Sequence, residues 1–159
     1  MRIGFGYDSH RLVYGKRFVL GGVEIPHEEG LLGHSDADVL VHAVCDAILG
    51  ALAEGDIGRH FPDTDPAYRD ISSLKLLSHV GALAASRGYS VNNVDSTVVL
   101  ERPKLKGYIH EMSVNIAGTL SIPVESVNIK ATTNEGMGFV GRGEGVAAFA
   151  VVSIGEKKD

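Results

Sequence analysis

The 159-residue sequence predicts an α/β (α+β) fold, with about three helices laid on one face of a small β-sheet. Three observations carry that expectation. β-rich runs alternate with longer runs of helical character along the chain. The 20 glycines cluster at Gly4/Gly6, Gly21-Gly22, Gly30/Gly33, Gly55/Gly58 and Gly136–Gly145, which read as turns or places of close backbone approach. The last β-rich run, Val146-Ala147-Ala148-Phe149-Ala150-Val151-Val152, is apolar on both faces, as in a strand covered from both sides.

Taken in order, Arg2–Asp8 reads as a strand, and Arg17–Leu20 with Val23–Ile25 reads as a hairpin around Gly21-Gly22. Leu31–Asp36 is expected to be a loop, from which Asp36 or Ser35 caps a helix running to about Ala53. Gly55–Asp70, with Pro62 and Pro66, reads as a loop. Ser72–Arg87 is expected to be a second helix, stopped by Gly88. Val94–Leu100 reads as a strand broken by Pro103, and Leu105–Leu120 as a third helix ending before Pro123. Val127–Ala131 and Val146–Ile154 read as strands. If all three helices cover one face, the other face of the last strand needs a partner subunit. The competing arrangement puts a helix on each side. With no repeat or low-complexity tract, residues 1–159 are expected to form a single domain.

Composition narrows the function. A hydrophobic content of 44% suffices for a core, and with no Trp and only 6% aromatics that core is built from Val, Leu, Ile and Ala. A net charge of −5, with Lys and Arg scattered, argues against a nucleic-acid partner. The single cysteine, Cys45, excludes internal disulfides, reads as a small buried hydrophobe and fits a reducing compartment. No signal peptide is expected, because the chain enters a strand at Arg2, and no apolar run approaches a membrane span. The expectation is a soluble cytoplasmic protein with no membrane partner.

The chemistry-bearing residues are Asp8, His10 and His42. In a strand, residues two apart point to the same face, so Asp8 and His10 converge. His42 falls within a helix that is otherwise apolar almost all round. One carboxylate and two imidazoles suit Zn²⁺ and leave a fourth tetrahedral position open, as a catalytic site requires. Asp38, His42 and Asp46 recur every four residues and share a helix face, and His34 continues the spacing into the preceding loop. Asp46 or Asp38 is therefore a candidate to orient an imidazole from behind. A solvated stripe on a surface helix is the plainer reading. His27, His60, His79 and His110 read as ordinary histidines.

Three loops have the character of ligand sites. Gly55-Asp56-Ile57-Gly58 and Phe61-Pro62-Asp63-Thr64-Asp65-Pro66 suit a hydroxylated ligand. A calcium loop counted from Asp63 fails, because Tyr68 and Leu74 stand at its glycine and glutamate positions. Lys130-Ala131-Thr132-Thr133-Asn134-Glu135-Gly136 offers amides and hydroxyls to phosphate, and Glu135 suits a hard cation such as Mg²⁺. The run Gly138–Gly145 leads into a strand, so it is no dinucleotide fingerprint, and it lacks the ending of a P-loop. Arg142 within it is exposed enough to meet an anion. No serine or cysteine triad is plausible.

Together these motifs resemble the 2-C-methyl-D-erythritol 2,4-cyclodiphosphate synthase family of the non-mevalonate isoprenoid pathway. The resemblance rests on Gly6-Tyr7-Asp8-Ser9-His10, His34-Ser35-Asp36-Ala37-Asp38, Gly55-Asp56-Ile57-Gly58, Phe61–Pro66, Lys130–Glu135 and Gly141-Arg142-Gly143-Glu144-Gly145, and it covers essentially the full length. It implies a small mixed sheet and a homotrimer with active sites between neighbouring subunits. It implies Asp8, His10 and His42 as ligands of Zn²⁺ or another divalent transition metal, and Glu135 near a Mg²⁺ or Mn²⁺ that bridges the diphosphate. His34 and Thr133 match catalytic residues that stabilise the transition state. Ser9, Ser35, Asp56, Ile57, Gly58, Phe61, Pro62, Asp63, Thr64, Asp65, Phe139 and Arg142 match substrate contacts. Phe139 and Arg142 also match the trimer's central cavity, where an isoprenoid diphosphate is a further candidate partner. Leu100, Glu101, Arg102, Pro103, Lys104, Leu105 and Lys106, with Ala131, Thr132 and Thr133, match the nucleotide pocket. Asn134 stands where the family often has threonine.

The implied reaction is attack of the 2-phosphate of a diphosphocytidyl methylerythritol phosphate on its β-phosphorus, closing a ring and releasing CMP. An ionised phosphate needs no strong base, which agrees with the missing triad. Divalent ions and hydrogen-bond donors offset the repulsion between the two anions, with Zn²⁺ expected on the β-phosphate and Mg²⁺ spanning α and β. The alternatives are a zinc-dependent phosphoesterase acting on a nucleotide-like substrate through metal-bound water, and a non-catalytic metal- and nucleotide-binding module.

Overall fold

The computed structural model describes residues 1–157. Along the chain come β1 (Arg2–Tyr14), β2 (Val19–Leu20), β3 (Val23–Glu24), β4 (Glu29–Leu32), α1 (Val39–Leu52), the short α2 (Ile57–His60), a 3₁₀ turn at Pro66–Tyr68 and α3 (Ser73–Ser86). Then follow β5 (Tyr89–Val99), α4 (Ile109–Leu120), a 3₁₀ turn at Val124–Ser126, β6 (Val127–Thr132), the short α5 (Gly138–Gly141) and β7 (Gly145–Glu156). Five strands form one mixed sheet in the order β4-β1-β7-β5-β6. All neighbours are antiparallel except β5 and β6, which α4 connects as a parallel pair. β2 and β3 form the expected hairpin, with Gly21 and Gly22 at φ +55° and +72°, where a side chain would be strained.

α1 packs on β1 and β7, α3 on α1 and β5, and α4 on α3 and β6. All three lie on the same side, so the sheet has a covered face and an open one. The core fills the covered side, with Leu20, Ile48, Leu49, Leu77, Met112, Ile116, Val152 and Ile154 fully buried. Strand alternation in β1 turns Gly4, Gly6, Asp8 and His10 toward α1. The two glycines are what let the helix come so near. A Cβ on Gly4 would sit 1.7 Å from the Ala47 carbonyl oxygen, and one on Gly6 1.9 Å from that of Ala43.

The opposite face stays uncovered along β1 and β7. Ile3, Phe5 and Tyr7 are 65%, 62% and 45% exposed, beside exposed Phe149 and Val151. Cross-strand register makes Tyr7 and Phe149 neighbours, their rings 5.0 Å apart. Toward β5 and β6 the same face turns polar, where Lys130 Nζ donates to Asp95 at 2.7 Å. Of the two arrangements open to the sequence, helices on one face is the one found.

Several boundaries differ from expectation. β1 continues past Asp8 to Tyr14, because its far end pairs with β4 from Arg11↔Leu32 to Tyr14↔Glu29. That pairing turns the start of the expected Leu31–Asp36 loop into strand. β5 begins earlier, at Tyr89, through its ladder with β7. The third helix starts at Ile109, not Leu105, since buried Leu105 anchors a turn in which the Tyr108 N–H donates to its carbonyl. The Gly55–Asp70 loop contains α2 and a 3₁₀ turn, capped by Asp56 and Asp65. The cap of α1 is Asp38 rather than Asp36 or Ser35.

Candidate metal centre and its cleft

Asp8 and His10 reach the centre from β1, and His42 reaches it from the first turn of α1. Asp8 Oδ2 lies 2.9 Å from His10 Nε2 and 3.0 Å from His42 Nδ1, and the two ring nitrogens are 3.2 Å apart. Ligands about 2.0–2.1 Å from a tetrahedral zinc sit roughly 3.3 Å from each other. The separations therefore match three corners of such a site, and the donor set fits a divalent transition metal. These three form the group of ligand atoms able to share an ion among the described residues.

Both rings are fixed from behind. His10 Nδ1–H donates to the Leu32 carbonyl at 3.0 Å, which leaves the Nε2 lone pair facing inward. His42 Nε2 lies between the hydroxyls of Ser35 and Ser73. Burial opposes charge on Asp8, but when the His10 and His42 rings carry protons on the nitrogens that face it, their hydrogen bonds and charges outweigh burial and hold the carboxyl down at about 2. Burial also opposes charge on His10, yet the hydrogen bond that a protonated Nε2 gives Asp8, with the charge of that carboxylate, raises its pKa. The centre is thus a standing carboxylate that attracts positive charge.

The two acidic members of the α1 stripe do other work. Neither touches an imidazole, which corrects the expectation that one orients it. Asp38 is fully buried and accepts from the backbone N–H of Gly21 at 3.0 Å, Gly22 at 2.7 Å and Val41 at 3.1 Å. It ties the β2–β3 hairpin to the start of α1. Burial, helped by the charge of Asp36, pushes its carboxyl up to about 6 against those three donors. Asp46 accepts from Ile57 N–H at 2.7 Å and so holds α2, and burial raises its pKa as well.

The metal centre opens into a cleft of about 460 Å³. His34 and Ser35 line it from the β4–α1 loop, Ile57, Gly58 and Phe61–Thr64 from the segment after α1, and Tyr68 and Leu76 from beyond. His34 Nε2–H donates to the Asp65 carbonyl at 3.2 Å, holding the ring against that segment. Asp56 and Asp65 shape its backbone by capping, accepting from Arg59 N–H and Ala67 N–H. The sequence reading missed Tyr68 and Leu76, and also Ser73, which it took only as part of the expected Ser72–Arg87 helix.

The remaining candidates lie elsewhere in the chain. Alternation puts Ser9 on the open face, away from His42. Register aligns Ser9, Ala147, Val99 and Thr132 across the sheet. Thr132, at the end of β6, is therefore three strand spacings from Ser9, roughly 14 Å. Thr133 and Glu135 follow it, with Glu135 N–H donating to Thr133 Oγ1 at 3.3 Å. Glu101 accepts from Asn134 N–H at 2.8 Å and joins the Leu100–Lys106 segment to this loop. Glu101, Arg102 and Arg142 line a separate hollow of about 290 Å³. Arg142 is exposed as expected, but Glu144 engages its guanidinium at 2.7 and 3.3 Å. Phe139 packs beside Gly145.

The YgbB family model matches residues 1–155. The chain is 62% identical over 156 residues to the 2-C-methyl-D-erythritol 2,4-cyclodiphosphate synthase of Alkaliphilus metalliredigens, covering 98% of each. Among solved structures, the bifunctional IspDF of Campylobacter jejuni superposes with a TM-score of 0.95 at 39% identity, over 99% of this chain and 42% of that one. A CDP complex of IspF from Plasmodium falciparum gives 0.87 at 32% identity, over 99% of this chain and 97% of that one.

Proposed function

The chain belongs to the YgbB family, and on that premise we propose how its cleft performs the family's reaction. The activity is that of a metal-dependent cyclodiphosphate synthase in isoprenoid precursor biosynthesis. It converts 4-diphosphocytidyl-2-C-methyl-D-erythritol 2-phosphate to 2-C-methyl-D-erythritol 2,4-cyclodiphosphate and CMP. The observation that carries the mechanism is the convergence of Asp8, His10 and His42 at one mouth of the cleft.

Those residues would hold Zn²⁺ or a similar divalent ion, which would supply positive charge to a phosphoryl oxygen. Ile57, Gly58 and the Phe61–Thr64 wall bind the methylerythritol and exclude water from it. Asp63 and Thr64 accept and donate hydrogen bonds to its hydroxyls. His34, steadied by Asp65, faces the reacting phosphates beside Ser35. The 2-phosphate, ionised near pH 7, is held in line with the β-phosphorus, so positioning and charge do the work.

Thr133, Glu135 and the cytidine segments Leu100–Lys106 and Ala131–Thr133 come from a second copy. Two observations support this: the sheet's width separates them from the metal centre, and the aromatic face of β1 and β7 has no cover among the described residues. A homotrimer burying that face would close the site between subunits, where Glu135 would help hold Mg²⁺ or Mn²⁺. The apolar interior so formed, near Phe139 and Arg142, suits an isoprenoid diphosphate. The match over residues 1–155 supports one domain. No helix among the described residues is long and apolar enough to cross a membrane. Taken with the single cysteine, this supports a cytoplasmic enzyme.

The test is incubation of the purified protein with the diphosphocytidyl substrate and a divalent metal, followed by phosphorus NMR. A cyclic diphosphate with one CMP per turnover is the expected outcome. An open phosphate monoester would instead make the cleft a phosphoesterase.

A further inference from the structure

Behind His42 lies a chain of hydrogen bonds that the reaction scheme does not use. His42 Nε2, the nitrogen turned away from Asp8 and His10, is 2.9 Å from Ser73 Oγ. Ser73 is fully buried at the first turn of α3. Its hydroxyl donates a short hydrogen bond to Asp36 Oδ1. Asp36 is itself anchored, accepting Ser73 N–H at 2.9 Å on Oδ2 and Asp38 N–H at 3.1 Å on Oδ1.

The proton count gives this chain a direction. A serine hydroxyl has one proton, and Ser73 has committed it to a carboxylate, which can only accept. Ser73 therefore presents lone pairs to His42, so Nε2 must be the donor. A neutral imidazole carries a single N–H. With the proton on Nε2, Nδ1 is left with its lone pair aimed at Asp8 and His10. Ser35 Oγ, 3.0 Å from the same nitrogen, accepts from Ala37 N–H but keeps its own proton uncommitted, so it imposes no direction.

We propose that Asp36 and Ser73 are positioning residues, a carboxylate–hydroxyl relay that fixes the tautomer and ring angle of His42 and so sets the metal affinity of the centre. The proposal rests on the reading of Asp8, His10 and His42 as a metal site. His10 is fixed by one main-chain carbonyl, whereas His42 depends on side chains of two other segments. The relay thereby links the first turn of α3, which also supplies Leu76 to the cleft wall, to ion binding in β1 and α1.

The experiment uses the full chain and its Ser73→Ala and Asp36→Asn variants. Zn²⁺ is titrated against a chromophoric chelator, the metal-free melting temperature is recorded, and histidine side-chain NMR reports the His42 tautomer without metal. The unsubstituted protein is expected to bind one ion per chain with His42 protonated on Nε2. Ser73→Ala is expected to weaken Zn²⁺ binding about 10–100-fold and to mix the tautomers, with Asp36→Asn weakening it less. Affinity in Ser73→Ala within about twofold of the unsubstituted protein overturns the relay alone. So does a neutral His42 that carries its single proton on Nδ1 in the unsubstituted protein, a measurement that stands even where a variant fails to fold. An unsubstituted protein that binds no ion overturns the metal reading and the relay together.

Discussion

The two faces of the sheet are built from alternate residues of the same strands, yet they solve different problems. On the covered face, β1 presents Gly4, Gly6, Asp8 and His10 to α1. The glycines bring the helix backbone against the strand, and only at that closeness does His42 reach within 3.0 Å of Asp8. On the open face the intervening positions are Ile3, Phe5 and Tyr7, large apolar side chains with nothing over them. Leaving such a patch in water forgoes on the order of 1.5–3 kcal/mol per side chain, which the proposed second copy would recover by covering it. On the proposed assembly, one face makes half an active site and the other provides the means to complete it.

That contrast can be broken at four points. The largest effect is expected at the metal centre. His42→Ala should remove the bound ion and lower turnover by about 10³-fold or more, since a Lewis acid supplies several kcal/mol of charge stabilisation. Metal analysis and CMP release on one sample check this, and a zinc-free variant with full activity would contradict it. Next comes the close approach beneath α1. Gly6→Ala puts a methyl on the Ala43 carbonyl and should destabilise by about 3 kcal/mol, read by denaturant unfolding. The matched change on the other face sharpens the comparison. Phe149→Lys should leave the metal-free chain folded but dissociate the assembly in sedimentation. On the proposed assembly it should lower turnover about 100-fold, because Thr133 of one copy would then stay apart from the metal centre of the next. Unchanged sedimentation with unchanged turnover would remove the role given to the open face.

The smallest effect concerns pH and belongs to Asp38. Its folded pKa of about 6 lies above the ordinary carboxyl value, so the folded chain binds the extra proton between those limits. Its contribution to stability is therefore full below about pH 4 and lost as pH rises through about 6. Asp8 has the opposite sign, with a contribution present above about pH 4 and lost as pH falls toward 2. Between pH 5 and 6 the metal-free protein should thus lose about 1 kcal/mol that an Asp38→Asn variant does not lose. Parallel pH slopes for the two proteins would refute the assignment.

The contrast also explains what could be read from the sequence. Asp8 and His10 were legible because period-two alternation in a strand is geometry, and His42 because an imidazole stands out on an apolar helix. The hairpin at Gly21-Gly22 and the helix stop at Gly88 followed from backbone freedom. Asp38 and Asp46 were misread for a physical reason. A buried carboxylate aimed at backbone N–H groups leaves the same four-residue stripe as one aimed at an imidazole, and only coordinates tell the partners apart. The separation of the β6 end, which Thr133 follows, from β1 was hidden because it depends on strand order, a long-range property. The continuation of β1 past Asp8, its partner β4 and the late start of α4 were hidden because strand pairing and one buried leucine decided them.

The most direct test of the central claim is stoichiometric. Chelator-stripped protein is titrated with Zn²⁺ alongside Asp8→Ala, His10→Ala and His42→Ala, with the metal-free fold checked by circular dichroism. One ion per chain in the unsubstituted protein, lost in each variant while the fold persists, is the expected result. Tight binding that survives all three substitutions would show that the strand and helix do not share an ion, and the mechanism built on them would fall.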